Sequence, residues 1–422
     1  MSSDLPSYDE AAAVVAAYGK QLRRLRPPLE RVELGLAAGR VLAEPLCADR
    51  DQPPFARSTR DGYACRAREA SKHEFLRLAG ASRAGDAPAG PLPKGAAWEI
   101  MTGAPIPAGA DAVMMIEHAE LTKEQVRLLP PRKVKQGENI VAQGAQAREG
   151  DELLPAGTEI RAAQIALAAS CGCTALEVFI RPRVAILTTG DELVPAGSSP
   201  ASGQIRNSNA PMLAAMVALA GGEPWVLPTA ADNAQALDAA LAQAVGTDML
   251  LITGGVSAGK FDLVEPALAR AGACFHFTGV RIQPGKPLVF GELPVGDTRS
   301  IQNDNSTKCF FGLPGNPVSS AVTFLLFAAP VLAALAGRLE SEPRFALARL
   351  ASKSDKHGRP DITRFLPAFC TFGARPSQLP EVAIVPMRGS GDLAALARSN
   401  CFVVAPEDAR LKLGAIVRIL LP

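Results

Sequence analysis

Four polar, glycine-rich segments in the middle of the chain hold the residues best suited to chemistry. They are Thr189-Gly190-Asp191-Glu192, Thr253-Gly254-Gly255-Val256-Ser257-Ala258-Gly259-Lys260-Phe261-Asp262, Gln283-Pro284-Gly285-Lys286-Pro287 and Leu313-Pro314-Gly315-Asn316-Pro317-Val318-Ser319. Consecutive glycines let backbone amides approach an oxyanion, and a helix starting just after such a loop adds positive dipole. Lys286, flanked by Pro284 and Pro287, supplies a point charge. Asp191, Glu192 and Asp262 carry the carboxylate oxygens that Mg²⁺ takes together with phosphate oxygen. The composition therefore predicts an anionic, phosphorylated ligand. Each feature alone has a plainer meaning. A Gly-Gly pair after a strand is often only a turn, Asp191 can cap a helix, and Lys286 can be a surface lysine. Four such loops in one region are what carry the prediction. No P-loop, dinucleotide fingerprint, nucleophile elbow or HExxH motif is present.

The segments around these loops must position them. Val184-Ala185-Ile186-Leu187 reads as a strand before the first loop and Met249-Leu250-Leu251-Ile252 as one before the second. Phe275–Ile282 is predicted as a third strand, and Phe310-Phe311-Gly312 ends a fourth. A helix is expected over Met212–Ala220 with Pro211 in its first turn. Another should carry Leu237, Ala240, Leu241 and Ala244, with Asp232 as its cap. Strands alternating with helices predict a doubly wound, mostly parallel sheet, which binds ligands beyond the carboxyl ends of its strands. The loops fall at those ends.

At 422 residues the chain is long enough for two to four domains. The expected fold class is multidomain α/β plus β. Residues 1–27 and 178–330 form the α/β substrate-binding domain, beginning with a helix capped by Ser7 and Glu10. Residues 28–50 and 148–177, with a helix over Arg161–Ser170, form a linking domain. Residues 51–147 form a β-rich domain, and residues 331–422 a C-terminal β-barrel.

A net charge of +2 disfavours a protein that coats nucleic acid. The apolar run Val318–Leu335 is interrupted by Pro330 and reads as a buried helix rather than a membrane span. The eight cysteines match neither a zinc site nor a disulfide framework, so free buried thiols are expected. His73, His118, His276 and His357 stand apart without metal spacing. With no basic region followed by an apolar run after Met1, no signal peptide is predicted, and the expected location is the cytoplasm.

Taken together, the four loops resemble those of the molybdopterin molybdenumtransferases, the family that includes the gephyrin E domain. Further matching segments are Ser58-Thr59-Arg60-Asp61-Gly62-Tyr63-Ala64, Met101 to Asp111, Gly137-Glu138-Asn139-Ile140, Gly203-Gln204-Ile205-Arg206-Asn207-Ser208-Asn209 and Gly389-Ser390-Gly391. Each is weak alone, and their joint order is specific. The resemblance implies that adenylylated molybdopterin and molybdate are converted to molybdenum cofactor, AMP and water, with Mg²⁺ as cofactor. It implies substrate contacts from Gly254, Gly255, Ser257, Pro314, Gly315, Asn316 and Pro317. With the residue types, it points to Lys286, Arg359, Arg364 and Ser390 for the molybdate dianion. The carboxylate candidates for metal are Asp262, Glu192 and Asp232. The family's elongated homodimers imply that Asp61 and Thr102 complete the site of the other subunit, so the catalytic set is Asp262, Glu192, Asp61 and Thr102. By themselves Asp61-Gly62 is a turn and Thr102 a cap.

The resemblance also implies partners in the molybdopterin adenylyltransferase and in cofactor-receiving enzymes; the charge balance and the interrupted apolar run predict no nucleic-acid or membrane partner. The sequence departs from the family's usual residues at Arg60, Gln146, Lys260 and Gln283 and is longer at residues 297–308. These departures keep open a tungstate-preferring or weakly active paralogue. A non-catalytic dimeric scaffold and the adenylyltransferase itself are two competing functions. The retained carboxylates argue against the scaffold, and the extra domains argue against the adenylyltransferase.

Overall fold

The computed structural model describes residues 5–25, 27–87, 89–255, 263–294, 307–352, 361–371 and 379–422. Its centre is a six-stranded sheet of β1 (Arg183–Thr188), β2 (Glu223–Val226), β3 (Met249–Thr253), β4 (Cys274–Thr278), β5 (Val289–Pro294) and β6 (Thr307–Leu313). The strands lie in the order β2-β1-β3-β6-β5-β4. The first four run parallel, while β5 and β4 are antiparallel to their neighbours.

Successive side chains of a strand point to opposite faces, and here both faces are covered. Ile186, Met249, Leu251 and Phe311 pack with the first helix, Tyr8–Leu22, and with the long helix Pro317–Leu335. Ala185, Leu187, Leu250, Ile252 and Phe310 meet the helices Ala234–Gln243 and Val264–Arg270 on the other side. Apolar residues at successive positions, as in Val184–Leu187 and Met249–Ile252, are the direct consequence. The chain leaves β1 for β2 on one side and returns to β3 on the other, so the order reverses between β1 and β3.

The expected cap of the first helix is present: Ser7 Oγ accepts from the Glu10 amide, and the Glu10 carboxylate accepts from the Ser7 amide at 2.7 Å. Pro317–Leu335 is long and apolar enough to span a membrane, but 78% of it is buried inside the fold, as the helix of a core. Pro330 falls in the first turn of Ala329–Leu335, just after the π-helical turn Phe324–Ala328, where a missing N–H costs little.

Three expectations need correction. Phe275–Ile282 is not one strand: β4 ends at Thr278, and Ile282–Gln283 leaves to join the C-terminal sheet. The antiparallel β5 has no counterpart among the expected strands. The cap of Ala234–Gln243 is Asn233, whose side chain accepts from the Ala236 amide at 2.9 Å, and not Asp232.

Leu29–Glu33 pairs with Ala175–Phe179 and Leu46–Cys47 with Glu152–Leu154, so two distant stretches of chain share one small core with the helix Ala162–Ser170. Residues 62–128 build a second six-stranded sheet. In the C-terminal part, Phe345–Leu350, Thr363–Thr371, Glu381–Ile384, Cys401–Ala405 and Ile416–Leu420 close into a five-stranded barrel. All eight cysteines are free, five of them buried, and burial pushes the Cys65 and Cys401 thiols up to about 12, away from thiolate reactivity.

Candidate active site

Two adjoining cavities open at the carboxyl ends of β1, β3 and β6, and Pro287, Pro314 and Asn316 line both. The larger, of about 580 Å³, is bordered by Thr188–Gly190, Glu192, Ile205–Asn209, Asp232, Thr253–Gly255 and Pro314–Pro317. Its floor is held by side chains that tie the three strand ends together. Asn209 Nδ2 donates to the Gly315 carbonyl at 2.7 Å and to Thr253 Oγ1 at 3.0 Å. Thr253 Oγ1 donates to the Pro314 carbonyl at 3.1 Å, and Asn207 Nδ2 donates to Thr188 Oγ1 at 2.9 Å.

Gly254 stands at φ +98°, where a Cβ would lie 2.4 Å from the Thr189 carbonyl oxygen. Only glycine lets β1 and β3 close to this distance. Thr189 Oγ1 and Asn209 Oδ1 are buried without a hydrogen-bond partner among the described residues. Buried polar atoms of that kind are normally satisfied, and here a bound ligand or water would satisfy them.

The acidic wall is made by Glu192 and Asp232. Asp191 does not line the cavity. Its carboxylate accepts from the Asp232 amide at 3.1 Å, and the Asp191 amide donates back to Asp232 at 3.4 Å, which locks the two loops together. Burial pushes the Asp232 carboxyl up, and repulsion from Asp191 and Glu192 adds to this; the Asp191 N–H offsets only part. Among the described residues, no group of three or more His, Cys, Asp or Glu is arranged to hold a metal. Mg²⁺ does not need one, because it binds through one or two carboxylates plus substrate phosphates and water. Two carboxylates in mutual repulsion are a donor set that fits such a cation.

The smaller cavity, of about 430 Å³, lies between the Ile282–Pro287 loop and the barrel. Lys286, Arg364 and Ser390 all line it. They meet because Ile282–Gln283 adds to the barrel edge in parallel, pairing Gln283 with Arg364. Arg364 is only 4% exposed, whereas Lys286 is exposed. Ser390 is pinned to the start of the long helix: its Oγ accepts from Asn316 Nδ2 at 2.8 Å, and its carbonyl accepts from the Val318 amide at 3.1 Å. The Ser390 hydroxyl proton remains available to donate.

The structure thus brings together Gly254, Gly255, Glu192, Asp232, Pro314, Gly315, Asn316, Pro317, Lys286, Arg364 and Ser390. Ser257, Asp262 and Arg359 lie outside the described residues. Asp61 and Thr102 meet each other: Asp61 Oδ1 accepts from the Thr102 amide at 2.7 Å and from its hydroxyl at 2.8 Å, which holds the Asp61 carboxyl below its ordinary range. Neither lines either cavity. Gly62 beside them is forced, since a Cβ would come within 1.9 Å of the Met114 carbonyl oxygen. Sequence reasoning gave no site role to Thr189, Arg206, Asn207 or Asn209. The usable signals were the position of Thr189 just past the first predicted strand, and the polar run Arg206-Asn207-Ser208-Asn209 shortly before the predicted helix Met212–Ala220.

Three family models cover most of the chain. Residues 6–172 match the MoeA N-terminal region (domain I and II), residues 185–334 the probable molybdopterin binding domain, and residues 349–421 the MoeA C-terminal region (domain IV). Over 397 residues the chain is 32% identical to the molybdopterin molybdenumtransferase of Haemophilus influenzae, spanning 93% of this chain and 94% of that protein. The chain belongs to the molybdopterin molybdenumtransferase family. The family member from Nostoc is 36% identical over 337 residues, covering 78% of this chain and 75% of that protein. The crystal structure of the molybdopterin biosynthesis moeA protein of Pyrococcus horikoshii OT3 superposes with a TM-score of 0.78 at 28% identity, covering 99% of this chain and 100% of the other. The multidomain α/β-plus-barrel architecture is therefore that of the family.

Proposed function

We propose that the two cavities divide the family's reaction between them. The larger binds the phosphoanhydride of adenylylated molybdopterin, and the smaller binds molybdate, so that AMP leaves as molybdenum enters the pterin. The observation that carries this reading is the adjacency of an acidic, glycine-floored cavity and a cationic one that share Pro287, Pro314 and Asn316.

Molybdate brings two negative charges, and burying them requires cations and hydrogen-bond donors. Arg364 supplies a buried, permanently charged fork, Lys286 a mobile ammonium at the mouth, and Ser390 a hydroxyl donor. Arg359 is assigned beside them on the resemblance alone. In the larger cavity Glu192 and Asp232 would hold Mg²⁺, together with Asp262. When bound, the cation supplies charge neutralisation to the anhydride phosphates. The Gly254-Gly255 backbone lets the substrate approach the sheet closely, and the short span through Asn316 keeps it near the molybdate. The dithiolene sulfurs of the pterin carry the metal in the product, so no protein cysteine is needed.

Purified protein given adenylylated molybdopterin, molybdate and Mg²⁺ should release AMP and form molybdenum cofactor. AMP transfer from ATP to free molybdopterin would instead identify an adenylyltransferase, and neither activity would leave a scaffold. Running the same assay with tungstate ranks the two oxyanions.

Two further outcomes belong to this reading. Asp262→Asn should leave the fold intact and slow AMP release at least about tenfold, a loss of roughly 1.4 kcal/mol of transition-state stabilisation. Undiminished turnover in the folded variant removes Asp262 from the mechanism. The Asp61–Thr102 pair, which lines neither cavity of its own chain, acts on the partner's site in a homodimer. Mixing inactive Asp61→Ala subunits with inactive Asp262→Ala subunits should then restore activity, because one site of each mixed dimer is intact. Subunit exchange without recovery would rule out a shared site.

A further inference from the structure

We infer that Arg206 is the cation that receives the anhydride phosphates of the adenylylated substrate and holds AMP before it leaves. The inference rests on the reading of the larger cavity given above. Among the described residues, Arg206 is the one cationic side chain lining that cavity. The smaller cavity has Lys286 and Arg364, but these face the other side of the shared wall.

The position of Arg206 is fixed by its neighbours. Leu193–Val194 and Ile205–Arg206 form a two-rung parallel ladder, with Leu193 opposite Ile205 and Val194 opposite Arg206. The Ile205 amide donates to the Glu192 carbonyl and the Asn207 amide to the Val194 carbonyl, both at 2.8 Å. The backbone carrying the cation is therefore tied to the backbone carrying the carboxylate. At its outer end, Arg206 Nε donates to the Ser198 carbonyl at 3.0 Å. This bond orients the guanidinium and leaves its two terminal nitrogens without a bond to any described residue.

Two carboxylates, Glu192 and Asp232, line the same cavity, yet Arg206 makes no ion pair with either. A cation and two carboxylates that line one cavity without pairing match a ligand with both signs of charge. A phosphoanhydride with its divalent cation is such a ligand: Glu192 and Asp232 would hold the metal, and the guanidinium would take the phosphate oxygens. A planar fork suits two phosphate oxygens better than a point charge does. Arg206 is exposed, so water screens its field, which strengthens once substrate displaces that water. The role is one of binding; no bond is made or broken at the guanidinium.

The test uses the full chain with Arg206→Gln and Arg206→Lys, read by steady-state turnover and by calorimetric titration of AMP in the presence of Mg²⁺. Arg206→Gln should raise both the KM for adenylylated molybdopterin and the Kd for AMP at least about tenfold, with the KM for molybdate unchanged. Arg206→Lys should recover part of the loss, as expected for charge without the fork. Unchanged AMP affinity and unchanged pterin KM in Arg206→Gln overturn the inference, as does an equal rise in the KM of both substrates. If wild-type protein binds AMP but does not turn over, the functional reading fails, and the AMP titration still decides the role of Arg206.

Discussion

Arg364→Gln is expected to raise the molybdate concentration needed for half-maximal turnover about a hundredfold, leaving the KM for adenylylated molybdopterin within about twofold. The magnitude follows from burial. Arg364 is 4% exposed, and removing a buried partner from an ion costs about 3 kcal/mol, equivalent to two decades in affinity. Lys286→Gln should have the same direction and a smaller size, about tenfold, because the exposed ammonium works in a medium closer to water. Arg364→Lys should fall between wild type and Arg364→Gln, since it keeps the charge and loses the fork. The measurement is AMP release at saturating pterin substrate across a molybdate series. Equal weakening toward both substrates would place these cations on the pterin phosphate instead. Sulfate, similar in shape and charge, should compete weakly with molybdate in wild type.

The second large effect is expected on the other side of the shared wall. Glu192→Gln keeps the size of the side chain and removes its charge. AMP release should fall about a hundredfold at fixed Mg²⁺, roughly 2.7 kcal/mol of transition-state stabilisation. Part of the loss should return as Mg²⁺ is raised, because Asp232 still faces the cavity. The molybdate KM should not change. A magnesium series on wild type and variant, followed by AMP release, separates this from a general disturbance of the fold. Loss of activity with no shift in the Mg²⁺ requirement would rule out Glu192 as a metal ligand.

The two sets of variants report on different cavities, so their effects should add in the double variant Glu192→Gln, Arg364→Gln within about half a kcal/mol. Strong coupling would mean that molybdate and the anhydride are held by one continuous set of contacts through Asn316, which touches both cavities and donates to Ser390.

What the sequence determined by itself is mostly local. Apolar runs such as Val184–Leu187 and Met249–Ile252, each ending in Thr and Gly, specify buried strands that stop at polar loops, because alternating side chains can all be apolar only when both faces are covered. The loops that carry Glu192, Gly254, Lys286 and Asn316 were legible for the same reason, and so was the Ser7–Glu10 cap, whose bonds span only three residues. The family was legible from the joint order of these short motifs.

What only the tertiary structure decided involves partners far apart in the chain. Arg364 meets Lys286 because Ile282–Gln283 abandons the edge of the central sheet and pairs with the barrel, and no periodicity within 275–282 signals that exchange. Asp232 faces the cavity because the neighbouring Asn233 takes the capping bond; both residue types cap well, and the Asp191 loop from another strand settles which one is left over. Arg206 becomes a cavity residue through a two-rung pairing with the loop of Glu192. Hydrogen bonds and buried charges gain their energy from groups brought close in space, and that closeness is set by the packing of the whole chain rather than by the residues that flank each group.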